Sequence, residues 1–310
     1  MTVLLTQTTR QGQAPPETHD GCVLAGHQLP DDQASNDPQD SFVVGDPTST
    51  GAGQGCLDAQ TPSTRPGGFL RDPVLGLLAD VLDDFETVRI ANANRVRQLT
   101  RTETDSDGEE RGFGLSEDNL VVRKLLGTVA ALEQAEHEAV LNLQRTMRAH
   151  PLTAYQKRHK GIGEKQLARL LAAIGDPYWN DLHERPRTVS ELWAYCGFDV
   201  RNGAAPKRTR GQVSNWSENA RKRVWVIASA MPKFPGGTYE VTYRNARIKY
   251  EGSVHPLDCI RCGPAGKPAP AGTPRSDGHN HAMAIRLVAK EILRDLWVAS
   301  KDIYETGSTR

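Results

Sequence analysis

The chain has 310 residues, which is long enough for two small domains. Lysine and arginine together number 38, as do aspartate and glutamate, so the formal net charge is zero and a uniformly basic or acidic protein is excluded. The local charge is nevertheless uneven, because acidic residues dominate the first half and arginine and lysine dominate residues 201–249. Since the local charge, rather than the net charge, determines which partners bind, the basic segment is compatible with an anionic partner.

The cysteine content and the hydropathy indicate the compartment. Five cysteines are an odd number, and only Cys259 and Cys262 lie close together in the sequence, so a disulfide framework is not expected. No run approaches the roughly 18 apolar residues that a membrane span requires, and the first residues lack the basic and apolar regions of a secretory signal. We therefore expect a soluble cytoplasmic protein without a membrane partner.

Residues 1–68 differ in composition from the rest of the chain. They are rich in Gly, Pro, Ser, Thr, Gln and Asp, and their apolar residues are too sparse and aperiodic to form a core. We expect a disordered N-terminal arm over residues 1–68. The residues after this arm predict a mainly α fold.

Residues 73–147 carry the pattern of a helical hairpin. Pro73 suits a first helical turn, the first helix is expected to reach about Thr104, and Ser116 is the expected N-cap of the second. The apolar residues follow alternating steps of three and four, at Leu75, Leu78, Leu82, Phe85, Val96 and Leu99, and again at Val122, Leu125, Val129, Leu132, Ala139 and Leu143. This spacing predicts an antiparallel coiled coil, which either closes on itself and the next domain or forms a homodimer with a second copy.

A glycine turn begins the third region, residues 150–304. Gly161 and Gly163 flank Ile162 and precede an apolar helical pattern, so free backbone N–H groups at a helix N-terminus are expected to face outward. Lys160 and Lys165 add positive charge beside them. This is the pattern of the second half of a helix-hairpin-helix, and it predicts contact with nucleic-acid phosphates. An ordinary turn between two helices is the alternative.

The basic segment predicts further phosphate contacts. A loop rich in Gly and Pro carries Lys207, Arg208 and Arg210, and a helix expected over residues 217–230 carries three more cations, Arg221, Lys222 and Arg223. Guanidinium groups suit phosphate well. A solvated loop followed by a basic helix is the alternative. A last helix, from residue 282 to about residue 303, is expected to close the domain.

Two cysteines and two histidines predict a zinc knuckle. Cys259 and Cys262 are two residues apart on an expected turn, which lets both thiolates face one tetrahedral ion. A loop rich in Pro and Gly then returns to His279 and His281, and His255 is a further candidate ligand. We expect a structural zinc ion held by four protein ligands, although either His279 or His281 could instead cap the last helix.

Four segments together resemble a known family. In chain order they read GIGEKQLARLLAAIGDP, LWAYCGF, GQVSNWSENARKRVW and AMAIRLVAKEILRDLW. They resemble the C-terminal half of the DEDD/serine insertion-sequence transposases, the Piv/MooV-like and bridge-RNA-guided recombinases. In that family a RuvC-like nuclease domain precedes a coiled coil and then a domain containing a helix-hairpin-helix. The resemblance covers roughly residues 73–304.

The chain departs from that family at both parts of its catalytic machinery. No counterpart of the RuvC-like domain, with its four metal-binding carboxylates, precedes Pro73. The loop from Phe198 to Gly211, where the family has its nucleophilic serine, contains no serine, and Thr209 is its only hydroxyl. We therefore assign no catalytic residue.

The resemblance implies a DNA-binding protein of the transposase or recombinase type, without its own nuclease. One alternative is an active transposase, in which either Ser214, Ser217 or Thr209 is the nucleophile or a separate chain supplies the nuclease half. The other is a structural helical assembly protein that binds RNA or an acidic partner. The sequence leaves open whether the ligand is duplex DNA, branched DNA or RNA.

Overall fold

The computed structural model describes residues 67–200, 205, 206, 208, 211–264 and 267–307. Within these residues the protein is mainly helical, as the sequence predicts, with eight α-helices, one short 3-10 helix and one two-stranded antiparallel sheet. The predicted disordered arm lies outside the described residues except for Gly67 and Gly68. These two glycines form a turn, and the Gly68 N–H donates a hydrogen bond to the Tyr304 hydroxyl at 2.9 Å.

The described elements are helices, apart from two strands of two residues each. The helices and strands, in chain order, are α1 Pro73–Thr100, α2 Leu120–Ala149, α3 Thr153–Arg158, α4 Glu164–Ile174, β1 Trp179–Asn180, β2 Arg185–Pro186, α5 Val189–Tyr195, α6 Glu218–Ala230, the 3-10 turn Met231–Lys233, α7 Thr238–Tyr250 and α8 Asp277–Gly307. None of the described helices is long and apolar enough to cross a lipid bilayer.

Helices α1 and α2 pack against each other in opposite directions. Near their loop, Val96 of α1 clusters with Val122 of α2, and near their far ends Leu82 lies in the same cluster as Leu143. The start of α2 differs from the prediction, because Asn119 rather than Ser116 caps it by accepting a hydrogen bond from the Val121 N–H. The first helix begins at Pro73 as predicted and ends at Thr100, four residues before the predicted end.

One main hydrophobic core joins this helix pair to the rest of the described chain. Burial of the apolar faces of α1, α2, α4, α6 and α8 in a common cluster supplies the main stabilising term of the fold. Representative members, one from each of these helices, are Leu82, Leu143, Leu170, Val224 and Leu293, all of which are fully buried. Helix α8 is the longest and contributes the most continuous apolar face, so its N-terminal turn is held on a rigid element.

Two further helices differ from the sequence prediction. Helix α8 begins at Asp277, five residues before the predicted start, and ends at Gly307. Helix α7 was not predicted at all, since it is polar along most of its length and buries only Tyr239, Glu240 and Ala246. Both differences matter for the candidate metal-binding residues, which lie in the loop between α7 and α8 and in the first turn of α8.

Candidate metal centre and basic surface

The loop between α7 and α8 is fixed by backbone hydrogen bonds. The His255 N–H donates to the Thr273 carbonyl at 2.9 Å, and the Gly272 N–H donates to the His255 carbonyl at 2.7 Å. Further along, Cys259 and Ala269 exchange a pair of N–H to carbonyl bonds, both of 2.8 Å. These bonds hold the backbone at His255 and Cys259 in defined positions, although the loop contains many Gly and Pro residues.

Four side chains from this loop and from α8 converge on one point. They are His255, Cys259, Cys262 and His279, and one ligand atom from each lies within 4.8 Å of all the others. The Nδ1 atom of His279 is 3.7 Å from the Cys259 Sγ and 3.3 Å from the Cys262 Sγ. Around a tetrahedral zinc ion, ligand atoms are about 3.3–3.8 Å apart, given the usual metal–ligand bond lengths. The two distances from His279 therefore match those of a zinc site, and all four ligand atoms lie close enough together for one ion.

The burial of His255 tests whether these residues fit an ion. His255 is almost completely buried, and its Nε2 atom is inaccessible and makes no hydrogen bond among the described residues. An unpaired buried polar nitrogen costs free energy, and a metal ion is a ligand that would satisfy it. The donor set of two thiols and two imidazoles is the set that structural zinc sites use, so the residues fit the ion.

The structure corrects one member of the predicted ligand set. His281 is not in the cluster, because its Nδ1 atom lies 2.8 Å from the Tyr243 hydroxyl of α7, and His255 occupies the fourth position instead. The reason is the early start of α8: residues two apart on a helix point about 200° from each other, so His279 and His281 cannot face the same ion. Cys259, Cys262 and His279 lie where the prediction requires them.

Ser276 links the cluster to the start of α8. Its hydroxyl accepts a hydrogen bond from the His279 N–H at 3.2 Å and lies 3.1 Å from the Cys262 Sγ. The contact with Ser276 lowers the pKa of the Cys262 thiol below its ordinary value. A lowered thiol pKa favours the thiolate, which is the form that binds a metal.

The predicted glycine turn connects α3 to α4. Gly161 has a φ of 96°, and Ile162 is buried beneath the turn with 3% of its surface exposed. Gly163 is the N-cap residue of α4 and is exposed, and no side chain caps the helix there. A Cβ atom added at Gly163 would have no atom within 4 Å, so the space beside the first turn of α4 is open.

The cations beside this turn fall into two groups. Lys157, Arg158 and Lys160 are exposed, and among the described residues neither Lys157 nor Arg158 takes part in an ion pair. The Lys160 ammonium donates a hydrogen bond to the Pro235 carbonyl at 3.0 Å, which holds its side chain across the turn. Lys165, in contrast, is half-buried.

Lys165 and Arg223 belong to an ion-pair network between α1, α4 and α6. The Lys165 Nζ is 3.6 Å from Glu86, and Arg169 contacts both Glu86, at 2.5 Å, and Asp83. Arg223 is buried and contacts Asp83. Burial raises the pKa of Glu86, but hydrogen bonding and charge from Arg169 outweigh it, so the pKa of Glu86 lies below its ordinary value. Both predicted phosphate contacts are thus paired with carboxylates of α1.

The remaining cations of the basic segment are partly accessible. Lys222 is exposed on α6, and Arg208 is exposed with its Nε 3.4 Å from Glu218. Arg221 is half-buried, and burial lowers its pKa. Lys207 and Arg210 lie outside the described residues.

Two of the three hydroxyl groups considered as alternative nucleophiles lie among the described residues, just before and at the start of α6. Ser217 is the N-cap residue of α6, and its hydroxyl accepts a hydrogen bond from the Ala220 N–H at 3.2 Å. The Ser214 hydroxyl donates to Glu218 at 3.1 Å. Thr209 lies outside the described residues. The geometry of Ser217 explains its presence at the start of α6 by capping alone.

The described residues therefore define a mainly helical protein with a candidate Cys2His2 metal centre and an exposed basic surface. Comparison with protein-family models, with curated proteins and with solved structures found no match for the chain.

Proposed function

We propose that this protein binds DNA through the sugar–phosphate backbone, with the turn between α3 and α4 as its main contact. The observation that carries the proposal is the uncapped, exposed N-terminus of α4 at Gly163, with open space before it. Free N–H groups and the helix dipole favour a phosphate there. The buried Ile162 anchors the turn, which supports its interpretation as a helix-hairpin-helix.

The charge distribution around the turn supports the same ligand. Lys157 and Arg158 at the end of α3 and Lys160 in the turn are three exposed cations that precede α4 in the chain, and Lys222 and Arg208 add positive charge on and before α6. Contacts of this kind position a protein on DNA without reading its sequence. We do not include Lys165 and Arg223 among the proposed phosphate contacts, because they are paired with Glu86 and Asp83.

A matched pair of triple variants tests the proposed contact. Replacement of Lys157, Arg158 and Lys160 by Gln is expected to weaken binding to duplex DNA about tenfold or more, because each lost phosphate contact removes a counterion-release term. The control replaces the exposed cations Arg123, Lys124 and Arg145 of α2, with the same change in net charge. Fluorescence anisotropy measures both affinities, and equal losses in the two variants would show that only overall charge matters.

We further propose that the protein is a transposase-type DNA-holding protein without its own nuclease. The order of the motifs, which resembles that of the DEDD/serine transposases, supports the assignment to the transposase type. The lack of a serine between Phe198 and Gly211 supports the absence of nuclease and strand-transfer activity. Purified protein is expected to leave supercoiled DNA uncut with magnesium or manganese. A covalent protein–DNA adduct that Ser214→Ala abolishes would show instead that this chain is an active recombinase.

The proposed metal is a structural zinc ion held by His255, Cys259, Cys262 and His279. All four protein positions of a tetrahedral site are then filled, which is typical of structural rather than catalytic zinc. The ion would supply a cross-link between the loop after α7 and the first turn of α8. Because thiol ligands must stay reduced, a cytoplasmic location fits this site.

A further inference from the structure

The exposed side of α6 contains a pocket that the contacts described so far do not use. Its volume is about 380 Å³, within the range of roughly 300–1,000 Å³ that is typical of small-ligand sites. Its aromatic and charged walls are formed by Arg208, Trp216, Glu218, Arg221, Lys222 and Trp225. Glu218, Arg221, Lys222 and Trp225 lie on α6, whose opposite side is buried in the core, and Arg208 and Trp216 come from the segment before the helix.

The two tryptophans of this pocket differ from two others that serve the core. Trp193 and Trp297 donate their indole N–H groups to backbone carbonyls, at 3.0 Å and 2.8 Å. Neither Trp216 nor Trp225 makes such a bond among the described residues, and Trp225 is 36% exposed. A large aromatic ring left half-exposed on a fixed helix favours contact with a planar ligand.

Arg221 holds one wall of the pocket in place. Its guanidinium carbon lies 5.3 Å from the centroid of the Trp216 ring and 5.9 Å from that of Phe198, and its Nη1 donates to the Pro206 carbonyl at 3.3 Å. Gly197 lets Trp216 approach, since a Cβ atom there would be only 2.8 Å from the indole. The indole of Trp216 is therefore preorganised, which lowers the entropic cost of stacking a ligand.

The charge of the pocket selects an anionic ligand. Arg208, Arg221 and Lys222 outnumber the one carboxylate, and that carboxylate, Glu218, already accepts from Ser214 and lies near Arg208. Lys222 is on the surface of α6 within one turn of Trp225. A flat apolar wall beside cations matches a nucleotide, whose base stacks on aromatic rings while its phosphate meets the cations.

We propose that this pocket binds an unpaired base of a DNA strand, stacked on Trp225 and Trp216 with its phosphate at Lys222. The inference rests on the proposed function and extends it, because a backbone-directed protein needs no aromatic pocket. The pocket takes a base that has left the duplex, and so adds a preference for single-stranded or opened DNA.

The test compares three labelled ligands by fluorescence anisotropy on the full chain: a blunt duplex, an oligothymidylate, and an abasic strand of the same length. Wild-type protein is expected to bind the oligothymidylate more tightly than the abasic strand. Trp225→Ala should lose about tenfold in affinity for the oligothymidylate, since a stacked base contributes strongly to single-strand binding. Its affinity for the abasic strand and the duplex should change by less than about twofold, because phosphate contacts remain.

Two variants separate loss of stacking from loss of structure. Trp225→Phe keeps an aromatic ring and should retain most of the preference for the oligothymidylate. Phe113→Ala removes an exposed aromatic ring in the loop between α1 and α2 and should change nothing. Far-ultraviolet circular dichroism checks that each variant is folded.

The outcomes distinguish this inference from the proposed function. Equal wild-type affinities for the oligothymidylate and the abasic strand, together with duplex binding, would overturn the stacking pocket alone. No binding of any of the three ligands would overturn both. If Trp225→Ala left every affinity unchanged, the pocket would have a different occupant, such as an apolar peptide segment, and the inference would be overturned.

Discussion

Gly161 and Gly163 lie in the same turn, yet a methyl group would meet different surroundings at each. At Gly161 the φ of 96° is unfavourable for a side chain, and an added Cβ would be 2.6 Å from the Phe234 ring. At Gly163 the φ is −82° and the space is open. The first glycine is therefore required by the fold, whereas the second leaves room for an approaching ligand.

These surroundings predict unequal effects on stability. Gly161→Ala is expected to lower the free energy of unfolding by about 1–3 kcal/mol through backbone strain, with the contact to Phe234 adding to that loss. Gly163→Ala should cost at most about 1 kcal/mol, since alanine is only a poorer N-cap residue. Urea denaturation measures both values, and equal destabilisation by the two variants would contradict the assignment.

The histidines of the metal centre allow a similarly direct comparison. His255→Ala removes a buried ligand and should lower zinc affinity by more than the roughly 10–100-fold typical of losing an outer-shell partner. His281→Ala removes only the contact with Tyr243 and should leave zinc affinity unchanged. Competition with a chromophoric chelator measures the affinities. A larger loss in the His281 variant would restore the ligand set that the sequence alone suggests.

At the scale of elements, the ion-pair network joins α1 to α4 and α6. Arg169 and Arg223 expose only 4% and 7% of their side chains, and both depend on Asp83. The loss of one partner from a buried pair leaves an uncompensated charge, which costs more than the pair itself contributes. The network also pairs two of the cations that the sequence predicts as phosphate ligands, Lys165 and Arg223, with carboxylates of α1.

Asp83→Ala is therefore expected to lower the free energy of unfolding by about 3 kcal/mol. This value is at the lower end of the range for breaking a buried ion pair, because Asp83 is itself partly exposed. Asp181→Ala is the control, since its pair with Arg71 is exposed and should contribute at most about 1 kcal/mol. Chemical denaturation distinguishes the two. A similar small loss in both variants would show that the network contributes little.

The sequence predicted elements better than their ends or their long-range partners. Periodicity indicated α1, α2, α4 and α8, because a wide apolar face is a local property of the chain. It failed for α7, whose polar sequence is buried at only three positions. The pairing of Arg223 with Asp83, 140 residues away, has no local signal, so the sequence could not predict that Arg223 is buried.

The candidate metal centre also shows that the sequence predicts local spacing better than the ends of elements. The spacing of Cys259 and Cys262 predicted two ligands, because that spacing is itself the geometric requirement. The choice between His255 and His281 depended on where α8 begins, and a boundary five residues earlier reversed it. A histidine four residues before a CxxC pair was the available signal for the fourth ligand.

For the whole molecule, the metal should determine the stability of the C-terminal part of the fold. Zinc would join the loop after α7 to the helix that contributes most to the core, and one equivalent per chain is expected in protein prepared without chelator. At free zinc about 1,000 times the Kd, binding adds about 4 kcal/mol. Chelation should then lower the Tm by roughly 8–16 °C for a domain of this size.

Calorimetry with and without chelator measures this difference, and Cys259→Ser provides the control. The variant should contain no zinc, and its Tm should not respond to chelator. An unchanged wild-type Tm after complete removal of the metal would contradict a structural role. Protein that never contains zinc would remove the site altogether.

The central claim is that the turn between α3 and α4 binds DNA phosphates, and the salt dependence of duplex binding tests it most directly. The logarithm of the binding constant falls linearly with the logarithm of salt concentration, with a slope of about −0.9 for each phosphate contacted. Replacement of Lys157, Arg158 and Lys160 by Gln should make the slope shallower by up to about 2.7. The α2 control variant should keep the wild-type slope, whereas an unchanged slope in the turn variant would contradict the account.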